Sequence, residues 1–92
     1  MEDNAIFVGD KPFMNYVTSV VVQFTTKDAE EVLVKARGKF ISRAVDIVEV
    51  ATKRFLKDKI EIANIEINSE EFKNKENKEV RVSTIDITLK KK

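Results

Sequence analysis

The chain has 92 residues, 42% of them hydrophobic and 36% charged, enough for one domain (1–92) near the lower end of what folds alone. It contains no Cys and no His, which excludes disulfides, a thiol nucleophile, an imidazole base and an ordinary zinc site. The formal charge is +1, yet residues 35–59 carry eight Lys or Arg against three acids. The rest of the chain is therefore net −4, and the positive charge is local.

The acidic start, Met1-Glu2-Asp3-Asn4, reads as a tail before a four-residue apolar run, which is no signal peptide. No stretch approaches the roughly 20 apolar residues of a membrane span. A soluble, intracellular protein without a membrane partner is expected. Ala5-Ile6-Phe7-Val8 predicts a short strand, ended by Gly9-Asp10. Lys11-Pro12 then opens a helix, with Pro12 suited to its first position. Phe13, Val17, Val20, Val21 and Phe24 recur at helical spacing and leave Asn15, Thr18, Ser19 and Gln23 outward. Thr25 to Ala29 is a polar loop.

Glu30 to Arg37 predicts a second strand, because Val32, Val34 and Ala36 alternate with Leu33, Lys35 and Arg37. Gly38 supplies a turn conformation closed to residues with a Cβ. A second helix is predicted from about Lys39 to Leu56, with Ile41, Ala44, Val45, Val48, Ala51 and Phe55 in one apolar stripe. Lys39, Ser42, Arg43, Asp46, Glu49 and Lys53 take the other face, and Lys57-Asp58 closes the helix. Arg37, Lys39, Ser42 and Arg43 thus gather where unpaired helix N–H groups already favour anions. Cations there oppose the helix dipole, so stability does not explain them. The pattern is equally compatible with a phosphate-binding surface and with a solvated helix start.

The last third predicts a hairpin. Ile60 and Ile62 are followed by Ile65 and Ile67, a slip of one residue near Ala63-Asn64. Val80 and Val82 are followed by Ile85, Ile87 and Leu89, with a slip near Ser83-Thr84. A slip of one turns side chains to the other face. Placing the two slips opposite each other pairs Ile60 with Ile87, Ile62 with Ile85, Ile65 with Val82 and Ile67 with Val80. The hairpin base would then cover the core while the outer half twists away as an arm. Its tip (68–79), with Lys73, Lys75 and Lys78 among Glu70, Glu71 and Glu76, has no packing pattern and is expected to be mobile.

The order β-α-β-α-β-β, an α+β two-layer sandwich with two helices and a four-stranded mixed sheet, comes with several specific blocks. Gly9-Asp10-Lys11-Pro12-Phe13-Met14-Asn15-Tyr16-Val17, Lys35-Ala36-Arg37-Gly38, Ile41-Ser42-Arg43-Ala44-Val45-Asp46, Arg54-Phe55-Leu56 and Arg81-Val82-Ser83-Thr84-Ile85 resemble the Alba (Sac10b) family. These are small archaeal chromatin proteins that bind DNA and RNA. The resemblance spans residues 5–90 and implies a fold similar to the carboxy-terminal domain of translation initiation factor 3. It also implies a homodimer, cytoplasmic and chromosome-associated, that binds double-stranded DNA and RNA without sequence preference. Its hairpin arms would reach along the duplex.

Carried over by position, the resemblance implies phosphate contacts at Lys11, Arg37, Lys39 and Arg43. Asn15, Tyr16, Gly38 and Ser42 would be neighbours, and Lys73, Lys75, Lys78 and Arg81 would lie on the arm. The resemblance makes Phe55 a contact between dimers, giving higher assembly on DNA. Many relatives carry two lysines before the proline, the first linked to acetylation. Here that position is Asp10, which leaves only Lys11 for modification.

Three rival readings follow from the residues. An enzyme is disfavoured, since no P-loop, GxGxxG or nucleophile motif is present and Asp46 and Glu49 stand beside Arg43 and Lys53. No metal, cofactor or small-molecule substrate is expected. An RNA-binding or ribonucleoprotein role remains open, with Phe72 and Tyr16 as the candidates for stacking unpaired bases. A pure protein adaptor would bind with an affinity indifferent to salt.

Overall fold

A computed structural model of the protein describes residues 4–92; the Met1–Asp3 part of the expected tail lies outside them. The elements are β1 (Ala5–Phe7), α1 (Phe13–Thr25), β2 (Glu31–Arg37), α2 (Ile41–Val50), β3 (Ile60–Lys73) and β4 (Glu79–Lys91). The sheet order is β1-β2-β4-β3, with β1 parallel to β2 and the other neighbours antiparallel. The predicted order and mixed sheet are therefore observed. Asn4 is held at the sheet edge: its side-chain amide donates to the Glu31 carbonyl at 2.8 Å, and its own carbonyl accepts from Leu33 N–H at 3.0 Å.

Directly paired residues share a face, so the register sorts the sheet into two. One face carries Ile6, Val32, Val34, Ala36, Ile85, Ile87 and Leu89, all buried beneath the helices with Tyr16, Val17, Val20, Phe24, Ala44, Ile47 and Val48. The other face carries Phe7, Lys35, Arg37, Thr84 and Asp86 and is not covered by either helix. In α1, Pro12 precedes the first helical residue as the N-cap instead of occupying the first turn. Its φ of −54° suits that entry, and its ψ of 141° is extended.

Helix 2 departs from its predicted stripe in two places. Ile47 is fully buried, whereas Val45, expected inward, is exposed. Ala44 and Val48 form the centre of the buried face; Ile47 and Val45 lie on its two flanks, and packing against α1 and β2 selects the Ile47 flank. Beyond Val50 the chain makes one π-helical turn, Ala51–Phe55, in which Leu56 N–H reaches back to Ala51 O at 2.9 Å. That wider turn brings Leu56 under Ala51, where an α-helix would have placed Phe55. Leu56 is buried, and Phe55 is 51% exposed. The helix ends as expected at Lys57-Asp58, where Asp58 has φ 66°.

The hairpin corrects the predicted register. Ile62 pairs with Leu89, Ile65 with Ile87, Ile67 with Ile85 and Phe72 with Val80, four to five residues away from the pairing derived by opposing the slips. The two slips have different physical causes. At Ala63 the strand bulges, an extra residue is absorbed, and Ile62, Ile65 and Ile67 stay on one face. At Ser83-Thr84 there is no bulge, so Val80 and Val82 lie on the face opposite Ile85, Ile87 and Leu89. The strands also continue to Lys73 and from Glu79, which confines the connecting turn to 74–78. There the Asn74 side chain accepts from Glu76 and Lys78 N–H groups, and Asn77 has φ 62°. Fourteen residues at about 3.3 Å each give β3 a length near 45 Å. This accounts for a longest extent of 46 Å against 24 Å in the other two directions.

Near the other end of β4, Lys91 hydrogen-bonds Asp28, which holds the Asp28 carboxyl below its ordinary pKa and raises that of Lys91. Because Ile47 is enclosed and Phe55 is not, Ile47→Ala is expected to cost about 2–4 kcal/mol in urea unfolding. Phe55→Ala should stay within about 0.5 kcal/mol of wild type. Equal losses in the two variants would contradict the π-turn placement of Leu56 and Phe55.

Candidate nucleic-acid interface

The centre of the site is the passage from β2 into α2. Gly38 follows Arg37 with φ 57°, the left-handed conformation expected of it, and leads through a 3-10 turn, Gly38–Phe40, into α2. A Cβ on Gly38 would come within 3.6 Å of the Val82 side chain, so the arm packs close to this turn. No side chain caps either helical segment. Ile41 N–H donates to the Gly38 carbonyl, so α2 continues the 3-10 turn, and the donors without a helical partner at this end are those of the turn. Lys39 is exposed on this turn with its ammonium 5.4 Å from the Phe40 ring, and Ser42 is exposed one turn on.

Arg43 has a more specific position than charge alone suggested. Its guanidinium donates to the Gly9 carbonyl at 3.1 Å and to the Lys11 carbonyl at 2.7 Å. The buried Tyr16 hydroxyl accepts from the N–H groups of the same two residues, at 2.9 and 3.1 Å. Arg43 also lies 5.8 Å from the Tyr16 ring. Together these two side chains bind both backbone polarities of the Gly9–Lys11 loop and fasten it to the first turn of α2. A Cβ at Gly9 would stand 3.4 Å from the Tyr16 oxygen, so the loop approaches closely. The exposed Lys11 is thereby held at the start of α2. Lys11, Asn15 and Tyr16 border a shallow concavity of about 600 Å³ between β1 and α1.

Arg37 is exposed on the open face of the sheet. It pairs with Glu70 of the arm at 2.9 Å and stacks 5.9 Å from the Phe72 ring. Several other arm cations face acids. Lys73 pairs across the hairpin with Glu79, Arg81 with Glu71, and Lys78 lies 3.8 Å from Glu76. Between residues 66 and 81 there are five Glu against four Lys or Arg, so the arm is not itself basic. Glu49, weighed above as half of a carboxylate pair with Asp46, forms an ion pair with Lys53 at 2.9 Å. No group of three potential metal ligands occurs among the described residues, and no described helix is long and apolar enough to cross a membrane.

The model of the Alba family matches residues 4–69. The chain belongs to the Alba family. It is 52% identical over 90 residues to the DNA/RNA-binding protein Alba of Methanocella arvoryzae, covering 98% of this chain and 92% of that protein. It is 48% identical over 92 residues to DNA/RNA-binding protein Alba 1 of Archaeoglobus fulgidus, covering the whole of each. Among solved structures, Alba from Thermoplasma volcanium aligns with a TM-score of 0.86 at 42% identity, over 95% of this chain and 99% of that one. Of the residues named from sequence blocks, Gly38, Lys39, Ser42 and Arg43 share the passage into α2, Arg43 ties the Lys11 loop to it, and Arg37 lies on the open sheet face against the arm.

Sequence patterning missed the double role of the Gly9–Lys11 loop and the pairing of Arg37 with Glu70. The first had a signal, since a lone Tyr at helical spacing with buried Val17 and Val20 belongs near a polar partner. The second had none. Tyr16→Phe and Arg43→Ala each leave loop polar groups unsatisfied and are expected to lower stability by about 1–3 kcal/mol in urea unfolding. Lys11→Ala should change it by less than about 0.5 kcal/mol. An Arg43→Ala protein as stable as wild type would show that the clamp is not structural.

Proposed function

We propose that the protein binds duplex nucleic acid through its phosphates, as a homodimer, with little preference for sequence. The observation that carries this reading is the clamp of Arg43 and Tyr16, which holds the Lys11 loop against the first turn of α2, directly after the turn that carries Lys39. Lys11, Lys39 and Arg37 supply charge, and backbone N–H groups of the Gly38–Phe40 turn supply donors. Arg37 exchanges Glu70 for phosphate, a small loss because an exposed ion pair contributes at most about 1 kcal/mol. Arg43 positions the loop and has further N–H groups to offer an anion. The names of the relatives, DNA/RNA-binding protein Alba, point the same way.

The homodimer is supported by an unpartnered apolar strip. Ile62, Ile65 and Ile67 line the helix-side face of β3, the edge strand, and Ile67 is 75% exposed. Closing two such strips against each other removes them from water and unites two cationic centres. Phe55 would join neighbouring dimers along DNA, a role its exposure at the π-helical turn supports. Such an assembly would organise archaeal chromatin and keep the protein on the chromosome. Lys11 is the position where acetylation would remove a phosphate contact. Backbone contacts serve duplex RNA as well, so a role in stabilising RNA is the second reading, favoured by the relatives' names.

Three cations per subunit give six per dimer, which predicts a slope of log affinity against log salt of about −5 on duplex DNA. Lys39→Ala should weaken binding to two unrelated duplexes alike and flatten the slope by about two in the dimer. An unchanged slope would remove Lys39 from the interface. Ile65→Lys is expected to sediment as a monomer and to bind with a slope of about −3. If that variant remains dimeric, the strip on β3 is not the interface.

A further inference from the structure

The sheet face left open by the helices carries an arrangement that duplex binding uses only at Arg37. Phe7 is 69% exposed there on the short edge strand β1, with Lys35 Nζ 5.8 Å from its ring centroid. An aromatic ring of that exposure adds nothing to the core, which lies on the other side of the sheet. Next to it, Phe7, Lys35, Arg37, Glu70, Thr84 and Asp86 line a concavity of about 320 Å³, within the ~300–1,000 Å³ range of small-ligand sites. Its far rim leads through Arg37 to the half-exposed Phe72 of the arm. The lining therefore combines an aromatic wall, two cations, two carboxylates and a hydroxyl.

That combination matches the parts of a nucleotide whose base is unpaired. A ring face stacks on the aromatic wall, phosphates meet Lys35 and Arg37, and the Asp86 and Glu70 carboxylates accept from exocyclic amino groups. A duplex presents no free base faces and cannot use this chemistry. A lone anion would be repelled by the carboxylates, and an apolar ligand would leave four charges desolvated. We propose that the open face of the sheet binds single-stranded nucleic acid, stacking an unpaired base on Phe7 within the concavity bounded by Lys35, Arg37 and Asp86. This inference rests on the nucleic-acid reading above and adds a second mode, which shares Arg37 with the first and differs from it in stacking on Phe7.

The test measures fluorescence anisotropy of a labelled short oligoadenylate and of a labelled mixed-sequence DNA duplex, each with wild type, Phe7→Ala, Phe7→Tyr and Lys39→Ala. Phe7→Ala should lose about tenfold or more in affinity for the oligoadenylate and change duplex affinity by less than about twofold. Phe7→Tyr, which keeps the ring, should retain oligoadenylate binding. Lys39→Ala should show the larger loss on the duplex. Phe7 is exposed, so the variant is expected to fold, with a melting curve matching wild type. The proposal is overturned if wild type does not bind oligoadenylate, or if Phe7→Ala binds it as well as wild type does. It is also overturned if Phe7→Ala alters the sedimenting mass, which would make Phe7 a contact between copies. Failure of the duplex reading shows separately, as a wild-type protein whose duplex binding is absent or insensitive to salt.

Discussion

One apolar layer sustains every described element: the side chains of β2 and β4 that point toward the helices. Val32, Val34 and Leu89 are fully enclosed there, together with Val17, Val20 and Ile47 from the helices. At about 25 cal/mol per Å² of apolar surface, such a layer is the main favourable term available to a chain without disulfides. Two helices suffice to cover β1, β2 and the near part of β4. They reach β3 only at its first residue, Ile60, which is buried; Ile62, Ile65 and Ile67 on the same face remain in water. The uncovered strip is thus a consequence of how little helix the chain contains.

The same limit explains the arm. Beyond Thr84 no helix lies over the hairpin, and the apolar residues of β4 move to the opposite face as Val80 and Val82. Val82 there approaches Gly38, and Phe72 meets Arg37. The arm is consequently attached to the body at the β2–α2 turn, the place where the cations gather. Its own charges are nearly balanced, so its electrostatic contribution is smaller than its length suggests. Arg37 links the two through Glu70, an exposed pair weak enough for a polyanion to replace.

Electrostatics and packing meet most closely at Arg43. A guanidinium has five N–H donors in a fixed fork, and two of them are spent on carbonyls of the Gly9–Lys11 loop. Such a residue contributes to a phosphate surface mainly by fixing where another cation stands. Tyr16 completes the clamp from below, where its ring is part of the core and its hydroxyl is not. A residue type that looks like a ligand in sequence can therefore be a brace in three dimensions.

Much of this was legible in the residues themselves. Period-two alternation placed Val32, Val34 and Ala36 on one face of β2, and Gly38 marked a left-handed turn because a Cβ is disfavoured there. Helical spacing found Val17, Val20, Phe24, Ala44 and Val48. These are local preferences, and short stretches of chain express them without knowing their neighbours. The hairpin register was not legible, because an apolar slip looks the same whether a bulge absorbs it, as at Ala63, or the covering layer ends, as at Ser83. Nor was the exchange of Phe55 for Leu56 beneath Ala51, which depends on a turn widened so that Leu56 N–H reaches the Ala51 carbonyl. The pairing of Arg43 with two carbonyls 32 and 34 residues away lay equally beyond pattern. Sequence determined which side chains are apolar or charged and with what period; only the tertiary structure decided which of them are covered, because covering is a property of the neighbours and not of the residue.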